Sequence, residues 1–261
     1  MLQGGNGMSE FAVITGGSTG IGRHLVTAFA EAGYAVAFSY KDEDGAAQSL
    51  VEAIETGGGQ ALGLACDVGV GAEVDAFFDE ACSWFGDAPD VLVNNAGIQT
   101  WSSLLELGED EWDDVIRTNL KGCFLNTQAA AKRMVDADKS GAIINIGSGC
   151  NKLAFPKLVS YTASKGGIEQ FTKVSAVELG PHGIRVNCVA PGAILNDRTA
   201  LEQPDYAGTW AKVTPLRRVG SVEDLAGPVL FFASEAARFV TGQTLWVDGG
   251  VFSQANWPYD R

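Results

Sequence analysis

Tyr161 and Lys165 stand four residues apart in Tyr161-Thr162-Ala163-Ser164-Lys165. On a helix, positions i and i+4 share a face, so the ammonium would lie beside the phenol. A neighbouring positive charge favours phenolate and draws a tyrosine down from its ordinary pKa of about 10. Tyr161 then becomes a usable proton donor and acceptor near neutral pH. Ser148 closes the run Asn145-Ile146-Gly147-Ser148 upstream. A hydroxyl at a strand end there could hold a substrate oxygen and stabilise charge developing on it. A Y-x-x-x-K spacing alone is commonplace; the serine and a glycine loop near the start of the chain give it weight.

That loop is Thr15-Gly16-Gly17-Ser18-Thr19-Gly20-Ile21-Gly22. It lies where an apolar run hands over to helical spacing, and a helix N-terminus offers free N–H groups and a positive dipole end to a pyrophosphate. Gly16, Ser18, Thr19, Gly20 and Ile21 are the candidate contacts. The spacing is G-x-x-x-G-x-G, and no Gly-Lys-Ser/Thr follows, which excludes a P-loop. A bare strand-to-helix turn would use the same residues. About 20 residues further on, an acidic residue would grip the ribose 2′-hydroxyl of NAD. Tyr40 and Lys41 stand there instead. The cation suits a 2′-phosphate and points to NADP, with NAD left open because Asp42, Glu43 and Asp44 follow at once. Lys41 could equally be a solvated lysine. Asp67 could accept from the adenine amino group or cap a helix.

These residues need a scaffold that brings them to one edge. Apolar runs at 11–15, 35–40, 61–66, 91–94, 142–146, 184–189 and 244–247 read as strands. Helical spacing covers 20–32, 46–55, 72–85, 109–135, 159–179 and 222–234, with glycines ending several of these stretches. Strand and helix alternate, which implies βαβ units. The expected fold is α/β: a single Rossmann-type, doubly wound parallel sheet with helices on both faces. Residues 1–9 read as a flexible N-terminal tail, with Met8 an alternative start, and 10–261 as one domain. The polar, irregular stretch at about 193–215 reads as a substrate lid.

Composition narrows the partners. The 261 residues carry a formal net charge of −14, which works against nucleic acid and anionic membranes. No apolar run approaches the ~18 residues of a membrane span, and the opening residues lack a basic and apolar leader. The five cysteines, Cys66, Cys82, Cys123, Cys150 and Cys188, are odd in number and form no C-x-x-C. Neither a disulfide framework nor a metal site is expected, and a reducing cytoplasm fits. Cys150, near Ser148, reads as a small pocket-lining side chain.

The whole pattern resembles the classical short-chain dehydrogenase/reductase family. The glycine loop carries the likeness, with Cys66-Asp67-Val68, Asn94-Asn95-Ala96-Gly97, Asn119 in Thr-Asn-Leu-Lys-Gly, Ser148, Tyr161 to Lys165, Pro191-Gly192 and Val247-Asp248-Gly249-Gly250. The resemblance implies a catalytic tetrad of Asn119, Ser148, Tyr161 and Lys165. Tyr161 would move the proton, Ser148 orient the substrate oxygen, Lys165 lower the tyrosine pKa and hold a ribose hydroxyl, and Asn119 hold a relay water. Val68, Asn94, Ala96 and Gly97 would line the cofactor cleft. Pro191, Gly192 and Ile194 would position the nicotinamide, and Asn196 stands where the family often has a carboxamide-binding threonine. A homotetramer is the family expectation.

Within the family, the likeness is to sugar 1-dehydrogenases. Tyr40-Lys41, Pro191-Gly-Ala-Ile194 and an apolar end at Trp257, Pro258 and Tyr259 carry it. The leading expectation is hydride transfer from an aldose to NADP or NAD, giving an aldonolactone. Gln99, Trp101, Ser148, Asn151, Lys152 and Arg198 are the candidate substrate contacts. The alternatives are a 3-oxoacyl-thioester reductase, which would need a basic patch for an acidic carrier protein, or a ketone or steroid reductase with a more apolar pocket. A non-enzymatic cofactor-binding protein is the remaining class.

Overall fold

The computed structural model describes residues 9–202 and 204–255, without the side chains of Asp197, Arg198 and Glu202. Residues 1–8 of the tail expected at 1–9, and the apolar end at Trp257, Pro258 and Tyr259, lie outside the described residues.

Strands β1 (Phe11–Ile14), β2 (Ala35–Tyr40), β3 (Gln60–Ala65), β4 (Val91–Asn94), β5 (Gly141–Ile146), β6 (Ile184–Pro191) and β7 (Thr244–Val247) form one sheet in the order β3-β2-β1-β4-β5-β6-β7. Every neighbouring pair is parallel. The chain winds outward from β1 in one direction and from β4 in the other, so a crevice opens above the carboxyl ends of β1 and β4.

Both sheet faces are covered, which explains why β1 is buried at all four positions. Ala12 and Ile14 face a core with Leu25 and Phe29 of α1 (Gly20–Glu31), Leu50 of α2 (Asp44–Thr56), and Leu225 and Phe232 from the segment after β6. Phe11 and Val13 face the opposite core, with Phe77 and Phe78 of α3 (Gly71–Phe85) and Met134 further along the chain. Successive side chains of a strand point to opposite faces, and here neither face meets water.

The single long helix expected at 109–135 is built in three parts. α4 (Glu109–Val115) passes into a π-helical turn at Ile116–Lys121, and α5 (Gly122–Asp136) completes it. A π-turn inside a helix often marks a functional position, and Asn119 sits in this one. α6 (Val159–Leu179) matches its expected bounds. The stretch read as irregular holds two short helices, α7 (Asp197–Glu202) and α8 (Tyr206–Val213), before α9 (Glu223–Ala233). Local caps explain both. Asn196 Oδ1 accepts from the Thr199 N–H at 3.0 Å, and the Asp205 carboxylate accepts from Gly208 at 3.1 Å.

Candidate active site

The crevice is a cleft of about 990 Å³ running along the carboxyl ends of the strands. Its floor is made where β1 and β4 part. Thr15 Oγ1 accepts from the N–H groups of Asn95 and Ala96, both at 3.0 Å. The Asn95 amide returns hydrogen bonds to the carbonyls of Thr15 and Gly16, also at 3.0 Å. Two loops that diverge from the sheet are thereby held as one surface. The glycine turn can lie this low because Gly16 adopts φ +63° and a Cβ there would sit 2.9 Å from Ala96 Cα. Above it, α1 begins at Thr19 with no side-chain cap and no acidic residue in its first turn. Its open N–H groups are an anion site in waiting.

The other end of the cleft is built by β5, the turn after it and α6. Lys165 is 4% exposed, and its Nζ donates to the Ile146 carbonyl at 2.8 Å. That bond ties α6 to the end of β5 and leaves Nζ 5.5 Å from the centre of the Tyr161 ring. A short turn at Gly149–Asn151 presents Ser148. The Asn151 side chain accepts from the Ser148 N–H at 3.0 Å, and the Ser148 hydroxyl oxygen accepts from the Cys150 N–H at 3.2 Å. This fixes the hydroxyl oxygen while its own proton is not used in that bond.

Asn119 is 1% exposed. Its amide clasps the backbone of Ile98, accepting from the N–H at 2.8 Å and donating to the carbonyl at 2.9 Å. It also donates to Ser164 Oγ at 3.0 Å, which in turn donates to the Tyr161 carbonyl at 2.8 Å. Beneath lies a buried network: Asn94 donates to Thr127 and Asn145, and Asn145 donates to Thr172, all at 2.9 Å. It cross-links β4, β5, α5 and α6 under the site.

Most of the sequence-predicted residues come together along this cleft: Gly16, Ser18, Thr19, Gly20, Ile21, Tyr40, Lys41, Asp67, Val68, Ala96, Gly97, Gln99, Trp101, Ser148, Tyr161, Lys165, Pro191, Gly192, Ile194 and Asn196 all line it. Others do not. Asn94 lies below the cleft wall because its side chain serves the buried network. Asn151 is turned inward to hold Ser148 and does not face a substrate. Lys152 points away from the cleft, its Nζ 5.4 Å above the Trp246 ring. Asn119 clasps the Ile98 backbone and borders a second, small cavity beside the cleft. The Arg198 side chain lies outside the described residues.

At the β2–β3 end of the cleft Lys41 and Asp67 are joined to each other. Asp67 Oδ2 accepts from both Lys41 and Arg117 at 2.9 Å, and Oδ1 accepts from the Gly69 N–H at 2.9 Å. Burial pushes this carboxyl upward, but the three donors outweigh it and hold its pKa at about 2. Asp67 is thus a hub between β3 and the π-turn, and Lys41 is already paired. Burial pushes Cys66 and Cys123 up to about 12, so both remain thiols at neutral pH.

Sequence reasoning did not single out Arg117 or the aromatic wall of Phe155, Tyr206, Trp210 and Phe252, all lining the cleft. Phe155 packs edge-on to Phe252 at 5.6 Å and lies 6.5 Å from Trp210. Four aromatics within otherwise polar, loop-like stretches were the available signal. Among the described residues no cluster of histidine, cysteine, aspartate or glutamate could hold a metal, and no helix is long and apolar enough to cross a membrane.

Comparison with known proteins agrees with this architecture. A family model described as Enoyl-(Acyl carrier protein) reductase matches residues 16–252. The chain belongs to the classical short-chain dehydrogenase/reductase family. It is 41% identical to the 3-oxoacyl-[acyl-carrier-protein] reductase FabG of Staphylococcus epidermidis, over 94% of this chain and 100% of that one. It is 37% identical to 3beta-hydroxysteroid dehydrogenase 1 of Eggerthella lenta, over 92% of each. Among solved structures, a gluconate 5-dehydrogenase from Burkholderia cenocepacia in complex with NADP and tartrate superposes with a TM-score of 0.88 at 37% identity, covering 95% of this chain and 97% of the other. The chain is an oxidoreductase that acts on alcohol and carbonyl groups with a nicotinamide cofactor. The cleft fits such a dinucleotide: the Gly16 cradle and the open N-terminus of α1 suit a pyrophosphate, and the wall formed by Pro191, Gly192 and Ile194 reaches the Ser148–Tyr161 end.

Proposed function

We propose that this enzyme interconverts a ketone and its secondary alcohol on substrates that carry an apolar ring or chain beside the reacting carbon. The carrying observation is the aromatic wall of Trp101, Phe155, Leu158, Tyr206, Trp210 and Phe252, while the charged lining residues other than Lys165 are engaged elsewhere, Lys41, Asp67, Arg117 and Asp114 with one another and Glu43 with Ser18. A polyhydroxy substrate needs several buried polar partners, since each unpaired hydroxyl costs about 1–3 kcal/mol. Two of the polar side chains expected to supply them, Asn151 and Lys152, face elsewhere.

The bound dinucleotide supplies or accepts the hydride at the substrate carbon. The chain does the rest. Ser148 offers its hydroxyl to the substrate oxygen as a hydrogen-bond donor and fixes its position. In reduction Tyr161 gives its phenolic proton to that oxygen, and in oxidation it takes the proton back. The buried Lys165 ammonium offers a positive charge to the tyrosine oxyanion and a donor to a ribose hydroxyl. Asn119 pins Ile98 and thereby the loop from Ala96 that faces the cofactor. A cavity of about 10 Å³, lined by Asn94, Asn119 and Lys165, adjoins the site. That is room for one water, and Asn94 Oδ1 has no protein partner. A water there would have Asn94 Oδ1 as acceptor and Lys165 beside it, a step on a proton path to the ammonium.

Sugar oxidation is the second reading. The likeness to a gluconate dehydrogenase favours it, and so do the Trp rings, which can stack on a sugar face. Both readings keep Gln99 and Trp101 as substrate contacts and α7–α8 as a lid. The exposed apolar residues Phe124 of α5 and Val177 of α6 support burial in a homotetramer, and five free thiols support a cytoplasmic setting. The substrate class is tested by initial rates of nicotinamide turnover on cyclic and steroidal ketones, aldoses and a 3-oxoacyl thioester. Ketones with apolar rings should be turned over with kcat/KM about 100-fold or more above any aldose, the scale of a pocket that lacks the hydrogen bonds a sugar needs. The opposite ranking would restore the sugar reading.

A further inference from the structure

The adenosine end of the cleft carries a carboxylate to which the catalytic chemistry gives no role and which is tied to the glycine loop. Glu43 follows β2 by three residues and lines the cleft. Its Oε2 accepts from the Ser18 hydroxyl at 3.2 Å and from the Asp42 N–H at 3.4 Å. Ser18 is 2% exposed and belongs to the glycine loop, so the carboxylate is anchored to the floor of the site and does not simply project into solvent. In sheets of this kind the acidic residue that grips a ribose 2′-hydroxyl stands about 20 residues beyond the glycine loop. Tyr40 occupies that strand end here. Glu43 returns a carboxylate to the same corner from the start of α2.

The surrounding charges point the same way. Lys41, the cation that suggested a 2′-phosphate, is bound to Asp67 at 2.9 Å. Arg117 is bound to Asp67 at 2.9 Å and to Asp114 at 3.5 Å. The Tyr40 hydroxyl donates to Asp44 at 2.9 Å. Lys41 and Arg117 are each paired with a carboxylate, the Arg23 guanidinium donates to the Ser18 and Ala46 carbonyls at 3.4 and 2.8 Å, and Asp42, Glu43, Asp44, Asp67 and Asp114 make the corner acidic. A 2′-phosphate would have to break those pairs and sit against Glu43. A 2′-hydroxyl needs only an acceptor, and a hydrogen bond to a charged acceptor is among the stronger ones.

We propose that Glu43 is the residue that selects the dinucleotide, accepting from the adenosine 2′-hydroxyl and repelling a 2′-phosphate, so that this enzyme prefers NAD to NADP. The proposal rests on the reading of the cleft as a nicotinamide dinucleotide site, and it reverses the preference that Lys41 suggested from sequence. Glu43 is exposed and makes no side-chain cap to α2, so replacing it leaves the fold intact.

The test is calorimetric titration of NAD⁺ and NADP⁺ into the wild type, Glu43→Gln and Glu43→Ala, with no second substrate present. The wild type should bind NAD⁺ about tenfold or more tighter than NADP⁺, and both variants should narrow that ratio by about fivefold or more, chiefly by gaining affinity for NADP⁺, as expected when a like charge is removed. A wild type that prefers NADP⁺, or a ratio that stays the same in both variants, overturns the role of Glu43 while leaving the cofactor site standing. Failure of the wild type to bind either dinucleotide overturns the cofactor reading, and the proposal with it.

Discussion

Tyr161→Phe should lower turnover by about 10²–10⁴-fold, the usual contribution of a positioned acid/base, and leave the dissociation constant of the dinucleotide unchanged. The substitution removes one atom. The ring that faces Lys165 remains, and so does the Tyr161 carbonyl that accepts from Ser164, so the α6 contacts that shape the site persist. Only the proton that moves to and from the substrate oxygen is lost. Stopped-flow or steady-state rates on the preferred ketone, with a binding titration in parallel, check both halves. Unchanged turnover would remove Tyr161 from the mechanism. Lost binding with lost turnover would recast the tyrosine as a cofactor contact.

Gly22→Ala should weaken dinucleotide binding by about 10–100-fold or more. A Cβ on Gly22 would collide with the Gly16 carbonyl oxygen and would lie 2.5 Å from the Asn95 amide nitrogen. The first of these is backbone of the loop that cradles the pyrophosphate. The second is the side chain that joins the β1 and β4 loops. Neither is the free end of a flexible chain, so α1 has to lift away from the loop. Overpacking of this kind costs about 1–3 kcal/mol, which converts to about 10–100-fold in affinity, and displacement of the helix N–H groups adds to it. The measurement is the same titration, with thermal unfolding to record how much of the cost falls on stability. Wild-type affinity in Gly22→Ala would mean that the glycine loop is a plain turn and that the anion sits elsewhere.

The sequence disclosed the sheet because its strands are buried on both faces and therefore read as unbroken apolar runs bounded by glycines. It disclosed Tyr161, Lys165 and Ser148 because helical spacing and a strand end place those side chains almost without help from the rest of the fold. Hydrogen-bond direction was hidden. Asn94 and Asn95 are identical in type and adjacent, yet one is consumed by Thr127 and Asn145 below the sheet edge and the other binds Thr15 and Gly16. Asn151 looked available for a substrate until its side chain was found accepting from Ser148. Lys41 looked like a phosphate contact because Asp67, 26 residues away, carries no sequence mark of being its partner. The π-turn at Asn119 was invisible for a similar reason: one extra residue in a helical turn changes no local pattern. The aromatic wall was hidden because Phe155, Trp210 and Phe252 come from three separate segments.

The central claim is that a hydride passes between a nicotinamide held in this cleft and the carbon of a substrate carbonyl held by Ser148 and Tyr161. Reduction of an apolar cyclic ketone with cofactor carrying deuterium at the transferable position tests it most directly, read by NMR of the alcohol. The account predicts deuterium on the carbinol carbon of a single alcohol enantiomer, and none with Tyr161→Phe under the same conditions. Alcohol formed without deuterium at that carbon, or equal labelling by the variant, would contradict it.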